Sequence, residues 1–222
     1  TATTEIYTLS LHDALPISSA SPNSRRVRIY LAEKGITMPF VPVDLASSEQ
    51  FSDAYAAINP RRVVPALMLD DGTTIAEVPV IIRYLEELHP IPPLLGGSPK
   101  EKATIAMWER RMELEGFASV METVRNGAPG LKGRAIAGLH GYDQIPELVV
   151  RGRRRIADFY GDLDVRLSET PFVAGDTFSV ADITAIVAID FASKALGLST
   201  PDEHGATRRW YNSIASRPSM IA

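Results

Sequence analysis

A run of four prolines and two glycines in eleven residues, "PIPPLLGGSPK" (Pro90 to Lys100), most limits what this chain can fold into. Neither a helix nor a strand accommodates so many residues that lack an N–H or a Cβ, so the segment reads as a linker. Before it, the elements alternate in type. After it, the apolar positions recur at helical spacing. The expected architecture is therefore α/β plus all-α, with a first domain over 1–90, a linker over 91–99 and an all-helical domain over 100–222.

The alternation is legible element by element. "RRVRIYLAEKG" carries apolar residues at mixed helical spacing and closes on Gly35, a C-cap signature. "ITMPFVPVDL" reads as an edge strand because of its prolines. "SSEQFSDAYAAINP" reads as a short helix that must stop before Pro60. "VVPALMLDDGTTIAE" is two strands around Asp71-Gly72, and "VPVIIRYLEELHP" is a helix with Pro79 in its first turn. In the second half "FSVADITAIVAIDFA" stands out. Ser179 and Asp182 have capping-box spacing, Phe178 can staple onto Ile183, and the helix that follows is apolar nearly all round, as a buried bundle axis must be.

Composition removes several functions. There is no cysteine, so disulfides, thiolate metal sites and cysteine nucleophiles are excluded. The four histidines stand apart without metal-ligand spacing, so no metal is expected. A net charge of −4 gives no nucleic-acid footprint. The densest basic run, "RGRRR" (Arg151 to Arg155), reads as a solvated helix face balanced by Asp158, Asp162 and Asp164. No apolar run reaches the ~18 residues of a membrane span, which makes cytoplasm the default location.

"SPNSRRVRIYLAEKGI", "NPRRVVPALMLDDGTTIAEVPVIIRYLEE", the linker, "WERRMELEGF", "VAGDTFSVADI" and the closing "WYNSIASRP" together resemble a cytosolic glutathione transferase, in particular bacterial members similar to the yeast-type enzymes. The resemblance runs from Ser21 to the C-terminus. It implies a thioredoxin-like domain followed by a helical domain, a homodimer, and glutathione as co-substrate with no further cofactor. The implied activity is conjugation of the glutathione thiolate to small hydrophobic electrophiles, with peroxide reduction as a side activity. The alternative is a catalytically impaired member acting as a ligand-binding or protein-interaction module.

The resemblance also assigns roles. A free thiol with a pKa near ~8.5 is only a few per cent ionised at pH 7, and a helix N-terminus with one hydroxyl can lower that value. The catalytic position falls on Ser21, with Asn23 as second candidate. The residues alone allow ordinary capping instead, with Ser24 or Asn23 as N-cap. The implied cis peptide at Pro65 exposes the Val64 backbone to the cysteinyl part of glutathione. Glu77 would meet the γ-glutamyl ammonium, aided by the Val78 N–H. Arg62 would reach the glycine carboxylate, because the usual lysine or glutamine position holds Val63. Val78 lacks the hydroxyl the family often has there. An electrophile pocket between the domains would be lined by Trp108, Arg111, Met112 and Glu115. Arg26 and Arg28, two apart, read as surface charge.

Residues 1–19 depart from the family pattern. Either "EIYTL" (Glu5 to Leu9) or "ALPIS" is the first strand, the latter with Pro16 interrupting its ladder. "SLHDALPIS" resembles a translated sequencing adapter, which sets 1–19 apart as a candidate non-native segment. Tyr7, His12 and Asp13 receive no catalytic role.

Overall fold

The computed structural model describes residues 13–222, so "EIYTL", Tyr7 and His12 lie outside the described residues. The chain divides into two compact units. The first runs to Pro90 and takes in Ala137–Leu139 and Ala222; the second comprises Ile91–Ile136 and His140–Ile221.

In the first unit the order is β1 (Leu15–Ile17), α1 (Pro22–Lys34), β2 (Phe40–Pro42), a 3-10 turn (Glu49–Phe51), α2 (Asp53–Ile58), β3 (Ala66–Met68), β4 (Thr74–Ala76) and α3 (Val78–Leu88). Of the two first-strand candidates, "ALPIS" fills the position. β1 runs parallel to β2, with Pro16 opposite Val41, while β3 and β4 form an antiparallel hairpin. Ala14 joins the two pairs through reciprocal bonds with Met68, at 2.9 and 2.8 Å. The spatial order is thus β2-β1-β3-β4, a small mixed sheet with helices, which is thioredoxin-like.

Pro16 explains why that junction is so short. Backbone donors along a strand alternate in direction, and Ala14 already points its N–H at β3. Two residues on, the next donor toward β3 belongs to Pro16, which has none, so the β1–β3 ladder stops at a single bridge. The strand keeps its place by burial: Ala14 and Leu15 are inaccessible and Ile17 nearly so.

The remaining punctuation follows local chemistry. Gly72 takes φ 86° in the β3–β4 turn, and Gly35 ends α1 at φ 64°, which a side chain at either place would disfavour. The Gly35 and Ile36 N–H groups then bond the carbonyls of Ala32 and Leu31, closing α1. α1 is tied to α3 by Tyr30, whose hydroxyl donates to Glu86 at 2.6 Å, and by Lys34, which lies 2.6 Å from the same carboxylate. Burial, then the Glu86 bond and charge, push the Tyr30 phenol far above its ordinary range.

The second unit begins with α4 (Pro99–Arg111), capped by the Ser98–Glu101 box. A π-helical turn (Met112–Phe117) carries it into α5 (Ala118–Gly127); α6 (Pro146–Glu169), α7 (Val180–Leu196) and α8 (Gly205–Ala215) follow. Gly116 does not break the helix. It sits in the π turn because a Cβ there would lie 2.7 Å from the Phe159 ring, and Gly152 likewise lets α6 meet Thr123 on α5.

α7 is buried around most of its surface, from Val180 to Ile189. Its start is built around Asp182, which is wholly buried and accepts from the Ser179 N–H (3.0 Å), the Ser179 hydroxyl (3.2 Å), the Val173 N–H (2.9 Å) and the Trp210 indole N–H (2.9 Å). Burial pushes this carboxyl up to about 6 despite those donors, which pull the other way. The basic run on α6 is balanced differently from expectation. Arg151 and Arg155 pair with Glu122 of α5, and Asp164 instead accepts from the Thr207 N–H at the start of α8. No helix among the described residues is long and apolar enough to cross a membrane, and no cluster of His, Asp and Glu among them could hold a metal.

Candidate active site

The sheet register brings the predicted glutathione-site residues to one edge. β1 is antiparallel to β3 through Ala14 and Met68, so the chain leaving β1 toward Ser21 emerges beside the start of β3, at Val64 and Pro65. β3 pairs with β4 at Ala66 and Ala76, which sets Pro65 opposite Glu77. The segment leaving β2, which runs parallel to β1, reaches the same edge. Four connections of the first unit therefore converge there.

At the start of α1 the structure corrects the capping assignment. The N-cap is Ser21, not Asn23 or Ser24. Its backbone is extended (φ −82°, ψ 123°) and its Oγ accepts from the Ser24 N–H at 3.3 Å. Pro22 occupies the first helical position. Ser24 lies a turn further in, fully buried, and its own Oγ accepts from the Ser18 N–H at 3.2 Å. Ser21 is 8% exposed and accepts with one lone pair, which leaves its O–H proton free to donate. No acidic residue stands in the first turn of α1, and among the described residues the Asn23 N–H makes no hydrogen bond. The Asn23 side chain is turned away to Arg26, at 3.3 Å.

Arg26 is a second correction. It is 1% exposed, so it is no surface charge, whereas Arg28 is half-buried and bonds the Ser18 carbonyl at 3.3 Å. The turn from β1 into α1 is thus braced from Ser18, Ser21 and Ser24 together.

Across the edge, the Val64–Pro65 bond is cis. Among the described residues neither the N–H nor the C=O of Val64 makes a hydrogen bond, although Val64 itself is mostly buried. Arg62 has φ 58° in the preceding turn and donates to the Phe51 carbonyl at 2.5 Å, which ties its guanidinium to the loop after β2. Glu77 is exposed at the N-cap of α3 with φ 71° and ψ 124°. A non-glycine residue in that region costs on the order of 1–3 kcal/mol and persists at sites where the geometry is needed. Among the described residues its side chain makes no bond to its own helix. The Val78 side chain points into the core at 3% exposure, so the position's contribution to the edge is its backbone N–H.

The proposed electrophile residues lie on the second unit. Two guanidinium groups lie over the Trp108 ring, Arg111 at 4.6 Å and Arg166 at 4.4 Å from its centroid. Arg111 also pairs with Glu115 at 3.3 Å, while Met112 is 2% exposed and belongs to the core of its unit. Sequence reasoning passed over Tyr55 and Asn59. Both are buried, and both donate to the Val63 carbonyl. The only signal was "YAAINP", a tyrosine one turn before an asparagine that halts a helix at proline.

A thioredoxin-like unit with an open helix start beside a cis-proline edge, followed by a helical unit capped at a buried aspartate, defines a class of two-domain proteins. Residues 15–96 match the family model described as glutathione S-transferase, N-terminal domain, and 135–218 match glutathione S-transferase, C-terminal domain. The chain is 38% identical to glutathione S-transferase 2 of Saccharomyces cerevisiae over 203 residues, 90% of this chain and 84% of that protein. It is 32% identical to the maleylacetoacetate isomerase of Rattus norvegicus over 165 residues, 72% of this chain and 68% of that one. The crystal structure of a glutathione S-transferase domain-containing protein from Marinobacter aquaeolei superposes with a TM-score of 0.85 at 36% identity, covering 93% of this chain and 99% of that chain. The chain belongs to the glutathione S-transferase family and is a glutathione transferase.

Proposed function

We propose that this enzyme joins the thiolate of glutathione to small hydrophobic electrophiles, a detoxification chemistry, with peroxide reduction through the same thiolate as a side activity. The observation that carries the reading is the start of α1. A nearly buried Ser21 caps the helix with one lone pair and keeps its proton to give, in a first turn that holds no carboxylate. A sulfur seated there meets the positive end of the helix dipole and a hydroxyl donor, both of which favour its charged form. Lowering a thiol pKa by about two units requires about 2.7 kcal/mol of preference for the thiolate, within reach of these two groups combined.

The peptide portion is held by backbone and charge. The Val64 N–H and C=O pair with the cysteinyl residue as an added strand would. Glu77 takes the γ-glutamyl ammonium, and the Val78 N–H at the start of α3 takes the adjacent carboxylate. Arg62, anchored by one of its five donors, presents the others to the glycine carboxylate. The electrophile meets the part of Trp108 that the two guanidinium groups leave exposed, with Arg111 and Glu115 as its polar margin. Met112 supports that wall from within the core. The working form is a cytoplasmic homodimer with no cofactor beyond glutathione itself. A catalytically impaired binding module is disfavoured by the intact donors at Ser21 and Val64.

Ultraviolet absorbance of the thiolate across pH, with glutathione bound, tests this directly. The bound thiol should ionise about two units below the ~8.5 of a free one. A bound thiol that keeps its solution acidity would defeat the reading.

A further inference from the structure

The carbonyl of Val63, one residue before the strand-like edge, is held by two buried donors. Tyr55 Oη donates to it at 2.6 Å and Asn59 Nδ2 at 2.8 Å. Tyr55 is inaccessible and Asn59 is 3% exposed. A carbonyl oxygen has two lone pairs, so this one is saturated. Asn59 is itself fixed, because its Oδ1 accepts from the Arg61 N–H at 3.1 Å and its backbone closes the turn to Arg62 at 2.8 Å.

The consequence lies on the other side of the same peptide. The Val63–Val64 bond is trans, and in a trans peptide the C=O and the N–H point in opposite directions from one rigid plane. Holding the Val63 oxygen against α2 therefore aims the Val64 N–H away from α2. That N–H makes no hydrogen bond among the described residues. We infer that Tyr55 and Asn59 are positioning residues for glutathione: they set the angle at which the Val64 N–H is presented to the cysteinyl backbone, without touching the ligand. This rests on the glutathione-binding reading above. It assigns a task to two side chains that contact neither sulfur nor electrophile.

Tyr55→Phe removes one donor and leaves the ring, so packing is kept. Glutathione titrated calorimetrically into the full-length variant should bind about tenfold more weakly than to the wild type, the scale of one misdirected hydrogen bond. The KM for glutathione should rise in step. kcat at saturating glutathione and the acidity of the bound thiol should stay put, because the sulfur sits at α1. A merely structural role would lower the melting temperature and leave the affinity of the folded protein unchanged. Equal affinity in wild type and variant overturns the inference and leaves the glutathione reading standing, as does a loss of kcat as large as the loss of affinity. A wild type that does not bind glutathione removes the reading itself, and the inference with it. Should Tyr55→Phe fail to fold, Asn59→Asp keeps the acceptor for Arg61 and deletes the donor. It should weaken binding at least as much, and unchanged affinity there also overturns the proposal.

Discussion

Two helix starts in this molecule are written in nearly the same letters and do opposite things. At Ser179 the first turn of α7 contains its own anion, Asp182, which absorbs the Ser179 N–H and hydroxyl and reaches out to Val173 and Trp210. At Ser21 the first turn of α1 contains no anion; the serine supplies one lone pair to Ser24 and the rest of the positive end is left open. A serine before an apolar helix is thus ambiguous by itself. What separates a structural cap from a candidate anion seat is whether a carboxylate already stands within the first turn.

That contrast can be broken at either end. The largest effect is expected from Asp182→Ala, which strands the Ser179 and Val173 N–H groups and the Trp210 indole N–H in the core. At about 1–3 kcal/mol for each buried donor left unpaired, the cost should be about 4 kcal/mol, or roughly 10 °C in the thermal midpoint, with no change in thiol acidity in the protein that remains folded. The same residue should leave a pH signature. Its carboxyl is raised to about 6 from an unfolded value of 3.8, so the native state holds that proton more tightly. The stabilisation it gives is complete below about pH 4 and is lost as pH rises through 6, on the order of 3 kcal/mol in all. Urea midpoints measured from pH 4 to 7 should show this slope in the wild type and lose it in Asp182→Ala.

The Ser21 end should respond in activity instead. Ser21→Ala should slow turnover with a standard electrophile about 10²-fold, by analogy with removing one donor to a developing anion, while glutathione affinity is retained. Unchanged turnover would assign the sulfur to the backbone of α1 alone. The smallest and most diagnostic effect comes from making one start resemble the other. Asn23→Asp places an acid in the first turn of α1, worth about 0.3–1 kcal/mol to the helix, and should raise the pKa of bound glutathione by about half a unit. A bound thiol whose acidity ignores that charge is not seated at this helix start.

How much of this was legible before the structure depends on how local the cause is. The hairpin at Asp71-Gly72, the stop at Gly35 and the Ser179–Asp182 pair are decided within a few residues, and the structure has them where the sequence does. The cap of α1 was read as Ser24 or Asn23, although Pro22 carried the answer: proline favours the first helical position, which makes the preceding serine the cap. Arg26 misled because charge argues for solvent, and only the fold reveals that the whole side chain, guanidinium included, is enclosed. The π turn at Met112–Phe117 was invisible in the sequence, and so was the reason for Gly116 within it, a close approach to Phe159 on another helix. Tyr55 and Asn59 were missed for the same reason, as their shared partner is a backbone oxygen that sequence pattern does not mark.

Pro16 has a wider consequence than a shortened ladder. The seat proposed for sulfur follows β1, while Val64 and Glu77 flank β3 and β4, and among the described residues one bridge between Ala14 and Met68 fastens these ribbons in the sheet. On the proposed binding mode, a tripeptide along this edge would span the seam and act as a second rivet between the ribbons.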